Sequence, residues 1–123
     1  MEVHIMSKNI SLVATYADHS LAKVTVRKLQ SSGFDMRKLF IVARDEDKSL
    51  EGATVVGALR DLDNEQFSCI PKENVPNYED ELKVDRLLLV AHGTPDEITQ
   101  ARSVIDAGWD GNIGCTIYYG CID

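Results

Sequence analysis

Residues 78–105 read Tyr-Glu-Asp-Glu-Leu-Lys-Val-Asp-Arg-Leu-Leu-Leu-Val-Ala-His-Gly-Thr-Pro-Asp-Glu-Ile-Thr-Gln-Ala-Arg-Ser-Val-Ile. The stretch holds an apolar strand, a tight turn and a well-signed helix. Leu87 to Ala91 form an unbroken apolar run, which predicts a strand over 86–92 covered on both faces. Thr94-Pro95-Asp96-Glu97 predicts a helix start. Thr94 caps, Pro95 takes the first helical position, and Glu97 completes a capping box. Ile98, Ala101 and Ile105, with Val104 beside them, form the buried stripe, and Gly108 ends the helix.

Upstream, Pro71 to Lys83 is helix-like, with Val75, Tyr78 and Leu82 on one stripe. Pro76 must lie in the first turn, where its missing N–H costs nothing, and Asn74 is the candidate cap. Near the N-terminus, Ile10 to Tyr16 reads as an interior strand. Asp18 is a cap for a helix over 20–30, whose stripe is Ala22, Thr25, Val26 and Leu29. Val24 lies off that stripe. Gly33 supplies a C-terminal stop. Leu39 to Ala43 is a second strand and Arg44 to Lys48 a charged turn. Residues 49–67 lack periodicity and read as a connecting surface loop. Ala53 to Leu62 offers one or two helical turns, and Gly52 and Gly57 oppose a longer helix. Ile113 to Cys121 alternates as a last strand, with glycines that suit a sheet edge or a bulge.

The order strand, helix, strand, connector with a short helix, strand, helix, strand is that of a ferredoxin-like βαββαβ domain of the α+β class, with an elaborated connection between strands 2 and 3. We expect one domain over 1–123, with residues 1–8 a flexible tail. The first and third strands are the most apolar. We expect them to be the central pair and to run parallel. Two helices cover one sheet face, so the other needs a second copy of the chain, or the connector, to bury it.

Composition narrows the function. The 123 residues carry 13 Lys and Arg against 20 Asp and Glu, a net charge of −7. Such a chain lacks the positive footprint that phosphate backbones or anionic membranes attract, so neither nucleic acid nor a membrane surface is an expected partner. No apolar run reaches membrane-spanning length. An odd, sparse set of cysteines (Cys69, Cys115, Cys121) and an N-terminus without a signal-peptide pattern point to the cytoplasm.

Two blocks resemble the bacterial general stress protein 17M-like family, also called the heat-induced stress protein or YflT-like domain. One is Thr-Tyr-Ala-Asp-His-Ser-Leu-Ala at 15–22, continuing through Leu-Gln-Ser-Ser-Gly-Phe-Asp-Met-Arg-Lys-Leu-Phe-Ile-Val at 29–42. The other spans 70–97, from Ile-Pro-Lys through Tyr-Glu to a Leu-rich strand ending in His-Gly-Thr before an acidic helix start. The second is the more specific. The glycine-rich apolar segment that many members carry between the blocks is absent here, so the chain is similar to the soluble half of such proteins. Pro76 also departs from the family pattern. The resemblance implies a stress-associated role and supplies no catalytic residues.

With the first and third strands parallel, their C-terminal ends bring Asp18 and His19 near His92, Gly93 and Thr94. Two helix N-termini there would offer free N–H groups to a small anion, with the histidines adding pH-dependent charge. The plainer reading makes Asp18 and Thr94 caps, Gly93 a turn residue and the histidines bystanders.

Cys115 and Cys121 lie six residues apart on one strand, about 20 Å, too far for the ~7 Å of a disulfide. Cys69 has no partner at zinc-like spacing. We expect no metal and no cofactor, and read the cysteines as buried small hydrophobes. Asp45-Glu46-Asp47 and Glu79-Asp80-Glu81 read as solvated charge runs. No phosphate loop, nucleophile elbow or metalloprotease motif is present, and no enzyme is expected. Trp109, Tyr118 and Tyr119 fit a binding surface, closure of the core or a dimer seam, and the seam is preferred. The expected function is therefore a small non-catalytic stress-associated module that self-associates as a homodimer through its open sheet face, for regulation or scaffolding. The rival is a small-molecule or anion sensor at His19 and His92.

Overall fold

The computed structural model describes residues 10–17, 19–43, 49–50, 52–57, 59, 70, 72–84, 86–107 and 114–118. The strands are β1 (Ile10–Tyr16), β2 (Leu39–Val42), β3 (Ser49–Leu50), β4 (Ala53–Val56), β5 (Leu87–Gly93) and β6 (Gly114–Tyr118). The helices are α1 (His19–Ser31), α2 (Val75–Lys83) and α3 (Pro95–Ala107). The class is α+β. The six strands form one mixed sheet in the order β3-β4-β2-β5-β1-β6.

β5 pairs antiparallel with both β1 and β2, and β6 pairs antiparallel with β1. It follows that β1 and β2, joined through α1, run parallel with β5 between them. Likewise β5 and β6, joined through α3, run parallel with β1 between them. Each crossover skips one strand, and the strand filling the gap runs the other way. The expected parallel pairing of the first and third principal strands is thus overturned, although both are central. The physical reason is that an apolar run reports burial on both faces and carries no information about direction.

Both faces are covered. On one, Leu12, Ala14, Tyr16, Leu87 and Leu89 pack against Val26 and Leu29 of α1 and Ile98 and Ile105 of α3. On the other, Val13, Val42, Leu88 and Val90 pack with Leu59, Ile70 and Leu82, with Val75 and Tyr78 of α2 beside them. Of the two expected covers for that face, the connector supplies one from within the chain. The face is not open, and the reading of it as a dimer surface is corrected.

Local signals account for the elements. In α1 the buried residues are Ala22, Thr25, Val26 and Leu29, the predicted stripe. Its end is a Schellman motif. Phe34 N–H bonds Leu29 O at 3.1 Å and Gly33 N–H bonds Gln30 O at 3.1 Å. Gly33 adopts φ +93°, where a Cβ would be strained, and Phe34 packs in the same core cluster as Leu29. Pro76 sits in the first turn of α2. The connector departs from expectation. Ala53–Val56 is a strand, parallel to β2, in place of a helical turn. Only two residues separate the paired Leu50 and Ala53, and Gly52 at φ +97° makes that reversal possible.

Candidate functional site

The five residues nominated as a site do not meet. Tyr16, at the end of β1, lies opposite Leu87, while Gly93, at the end of β5, lies opposite Ile10. His19 follows one end of the pair and His92 marks the other. A seven-residue strand, about 20 Å long, separates them. Asp18 lies outside the described residues. The two helix N-termini therefore lie at opposite ends of the strand pair and do not form a joint anion site.

Each remaining member has its own role. Thr94 caps α3 as predicted: Glu97 N–H donates to Thr94 Oγ1 at 3.2 Å, and Thr94 N–H donates to Glu97 Oε1 at 2.9 Å. Lys38 Nζ reaches the same carboxylate oxygen at 3.0 Å. The N-terminus of α3 is thus occupied by the chain's own anion. The Thr94 N–H foremost, then Lys38, holds the Glu97 carboxyl below the usual glutamate range. Gly93 is needed for close approach. A Cβ there would stand 2.5 Å from Glu97 Oε1.

His92 points to the other face of the sheet. It is buried, as is Ser11, and Ser11 Oγ lies 3.1 Å from His92 Nδ1. Ser11 is the cross-strand partner of both His92 and Tyr118, so the three form a row across β5, β1 and β6. The row continues into α2. Asn74 Nδ2 donates to Tyr118 Oη at 3.0 Å, and the Tyr78 and Tyr118 hydroxyls share a 2.5 Å hydrogen bond. The result is a polar seam of Asn74, Tyr78, Tyr118, Ser11 and His92 running from the helix into the sheet.

A hydroxyl beside an imidazole is the elementary nucleophile–base pair. Here Ser11 is 0% exposed, so its oxygen is out of reach of a substrate from solution. The pair instead satisfies two polar groups inside an apolar layer, which would otherwise carry an unpaired-burial cost of about 1–3 kcal/mol. The Tyr118 hydroxyl ties the start of α2 to β6.

Sequence reading missed this seam. Ser11 was the available signal, a lone hydroxyl in an apolar strand. Asn74 stands at the cap position of α2 but makes no capping bond, because its amide is turned to Tyr118. The Tyr118 hydroxyl is engaged within its own chain, by Asn74 and Tyr78. Trp109, Tyr119, Cys69, Cys121 and the Asp45-Glu46-Asp47 run lie outside the described residues, as does the side chain of Cys115. The 79–81 run is a solvated face, with Glu81 paired to Arg86 and Asp80 3.8 Å from Lys83.

Among the described residues no three of His, Cys, Asp and Glu gather as a metal-ligand set, and no helix is long and apolar enough to cross a membrane. No protein-family model matches the chain, and no curated protein matches it.

Proposed function

We propose that the chain is a small, non-catalytic, stress-associated module of the general stress protein 17M-like kind, acting in the cytoplasm by pairing with a second copy of itself along β6. The family part rests on the blocks at 15–22, 29–42 and 70–97. The strand order β6-β1-β5-β2, with its two interlocked crossovers, supports a ferredoxin-like core to which the β3–β4 hairpin is an addition at the β2 edge.

The observation that carries self-association is the difference between the two sheet edges. β3 ends the sheet with two residues, a short edge of the kind that blocks further pairing. β6 ends it with Gly114-Cys115-Thr116-Ile117-Tyr118, five residues without a charge or a proline. Charged side chains and proline are the usual means of blunting an edge, and β6 has neither. Antiparallel pairing of β6 with its own copy is two-fold and self-complementary, the commonest closed assembly.

Size-exclusion chromatography with light scattering tests this on the wild type and on Thr116→Lys, which places a charge at an exposed position of the edge. A dimer that becomes a folded monomer is expected. A wild type that stays monomeric at the highest attainable concentration overturns the pairing.

A further inference from the structure

We infer that the outer face of α1, together with the groove it forms with α3, docks an acidic segment of a partner protein that also carries apolar side chains. The charge distribution points there first. α1 holds Lys23, Arg27 and Lys28 and no acid, while all 20 Asp and Glu lie elsewhere in the chain. This helix therefore carries a net positive charge within an acidic molecule.

The second observation is apolar. Val24, the residue off the buried stripe, is 42% exposed and is one of two large hydrophobics exposed among the described residues. At helical spacing it shares a face with Arg27 and Lys28, three and four residues on. Beside that face, Arg27, Lys28 and Ser31, with Val104 of α3, line a shallow open groove of about 440 Å3. Cations above an apolar floor suit carboxylates interleaved with aliphatic side chains. This is the helix-in-groove mode, which needs an acidic amphipathic occupant.

Two other anionic partners fit less well. A membrane-surface helix inserts its apolar face, and that face of α1 is in the core. A nucleic-acid backbone is densely charged, and its reach brings it against the rest of a chain of net charge −7. A short peptide meets chiefly the local patch, because charges beyond about 8 Å are screened at physiological salt. Lys28, in the last helical turn, also favours the helix dipole. That role does not extend to Lys23 or Val24.

Fluorescence anisotropy tests the inference with a labelled synthetic peptide carrying Glu and Leu at helical spacing, against the same peptide with Lys for every Glu. The acidic probe is expected to bind and the basic one not. Lys23→Glu with Lys28→Glu should weaken binding at least about tenfold, the loss expected when two rim attractions become repulsions. Val24→Ser should weaken it separately, leaving the charge preference. Lys23, Lys28 and Val24 lie outside the core cluster, so melting curves should be unchanged. Equal binding of the two probes, equal binding by the charge-reversed variant, or binding of phosphatidylglycerol vesicles or duplex DNA in place of the acidic peptide overturns the inference. It is independent of the pairing at β6, since Thr116→Lys leaves this face untouched.

Discussion

At Gly93 the absence of one methyl group lets a carboxylate close on a helix start. A Cβ would lie 2.5 Å from Glu97 Oε1 and 3.4 Å from Glu97 Cβ, so the cap and an alanine cannot coexist without one of them moving. Losing a cap costs about 1 kcal/mol. Gly93→Ala is therefore expected to destabilise the wild type by roughly that amount in urea titration. In a Glu97→Ala background it should be neutral or mildly stabilising, because the obstructing carboxylate is gone and alanine loses less chain entropy than glycine on folding. Equal costs in both backgrounds would refute the coupling.

The same carboxylate sets a pH dependence. Its pKa is depressed in the fold, first by the Thr94 N–H and then by Lys38. A depressed acid contributes stability that is complete above its unfolded value and is lost as pH falls through the folded one. Glu97→Gln keeps a capping box without the charge. The stability gap between wild type and Glu97→Gln should be constant from about pH 7 to pH 5 and close below about 4.5. A gap unchanged at the acid end would remove the charge from the account. The side chain is 37% exposed, so the Lys38 contact adds little beyond the cap. Thr94-Pro95-x-Glu was legible in the sequence because a cap is a local event, written in four consecutive residues.

Elements divide along the same line. The buried stripes of α1 and α3, the stop at Gly33 and the first-turn place of Pro76 all follow from spacing within one segment. Strand direction does not, because β1 and β5 are apolar on both faces whichever way they run. β4 was hidden for a related reason. Four residues following a glycine show no clear period, and only pairing with β2 makes Ala53–Val56 a strand. The seam was illegible because Tyr118 belongs to a segment distant from Asn74 and Tyr78. Its consequence belongs to α2, a nine-residue helix with one buried residue, Leu82. So short a helix relies on docking for its stability. Tyr118→Phe removes the group that Asn74 and Tyr78 both bond. Losing about 1 kcal/mol of docking should raise hydrogen exchange of the α2 amides roughly fivefold while leaving β1 and β5 unchanged. Uniform acceleration across the sheet would place the seam in global stability and not in the hold on α2.

For the whole molecule, the balance of charge decides how two copies meet. Each carries −7 at neutral pH, with a sequence pI near 4.9. The strand proposed to pair is itself uncharged, so the like charges that oppose the dimer lie outside that strand, and exposed charges act on one another through solvent. Solvent is where salt works. The screening length falls from about 30 Å at 0.01 M to about 10 Å at 0.1 M ionic strength. Pairing along β6 should therefore tighten as salt rises, at constant pH. Docking of an acidic segment on α1 joins opposite charges at short range and should weaken over the same range. Sedimentation equilibrium of the chain alone, beside anisotropy of the acidic probe, reads the two trends on one preparation. Opposite slopes are expected. A dimer that dissociates as salt rises would mean that specific ion pairs hold it together, and the uncharged edge of β6 would no longer be the place where the copies join.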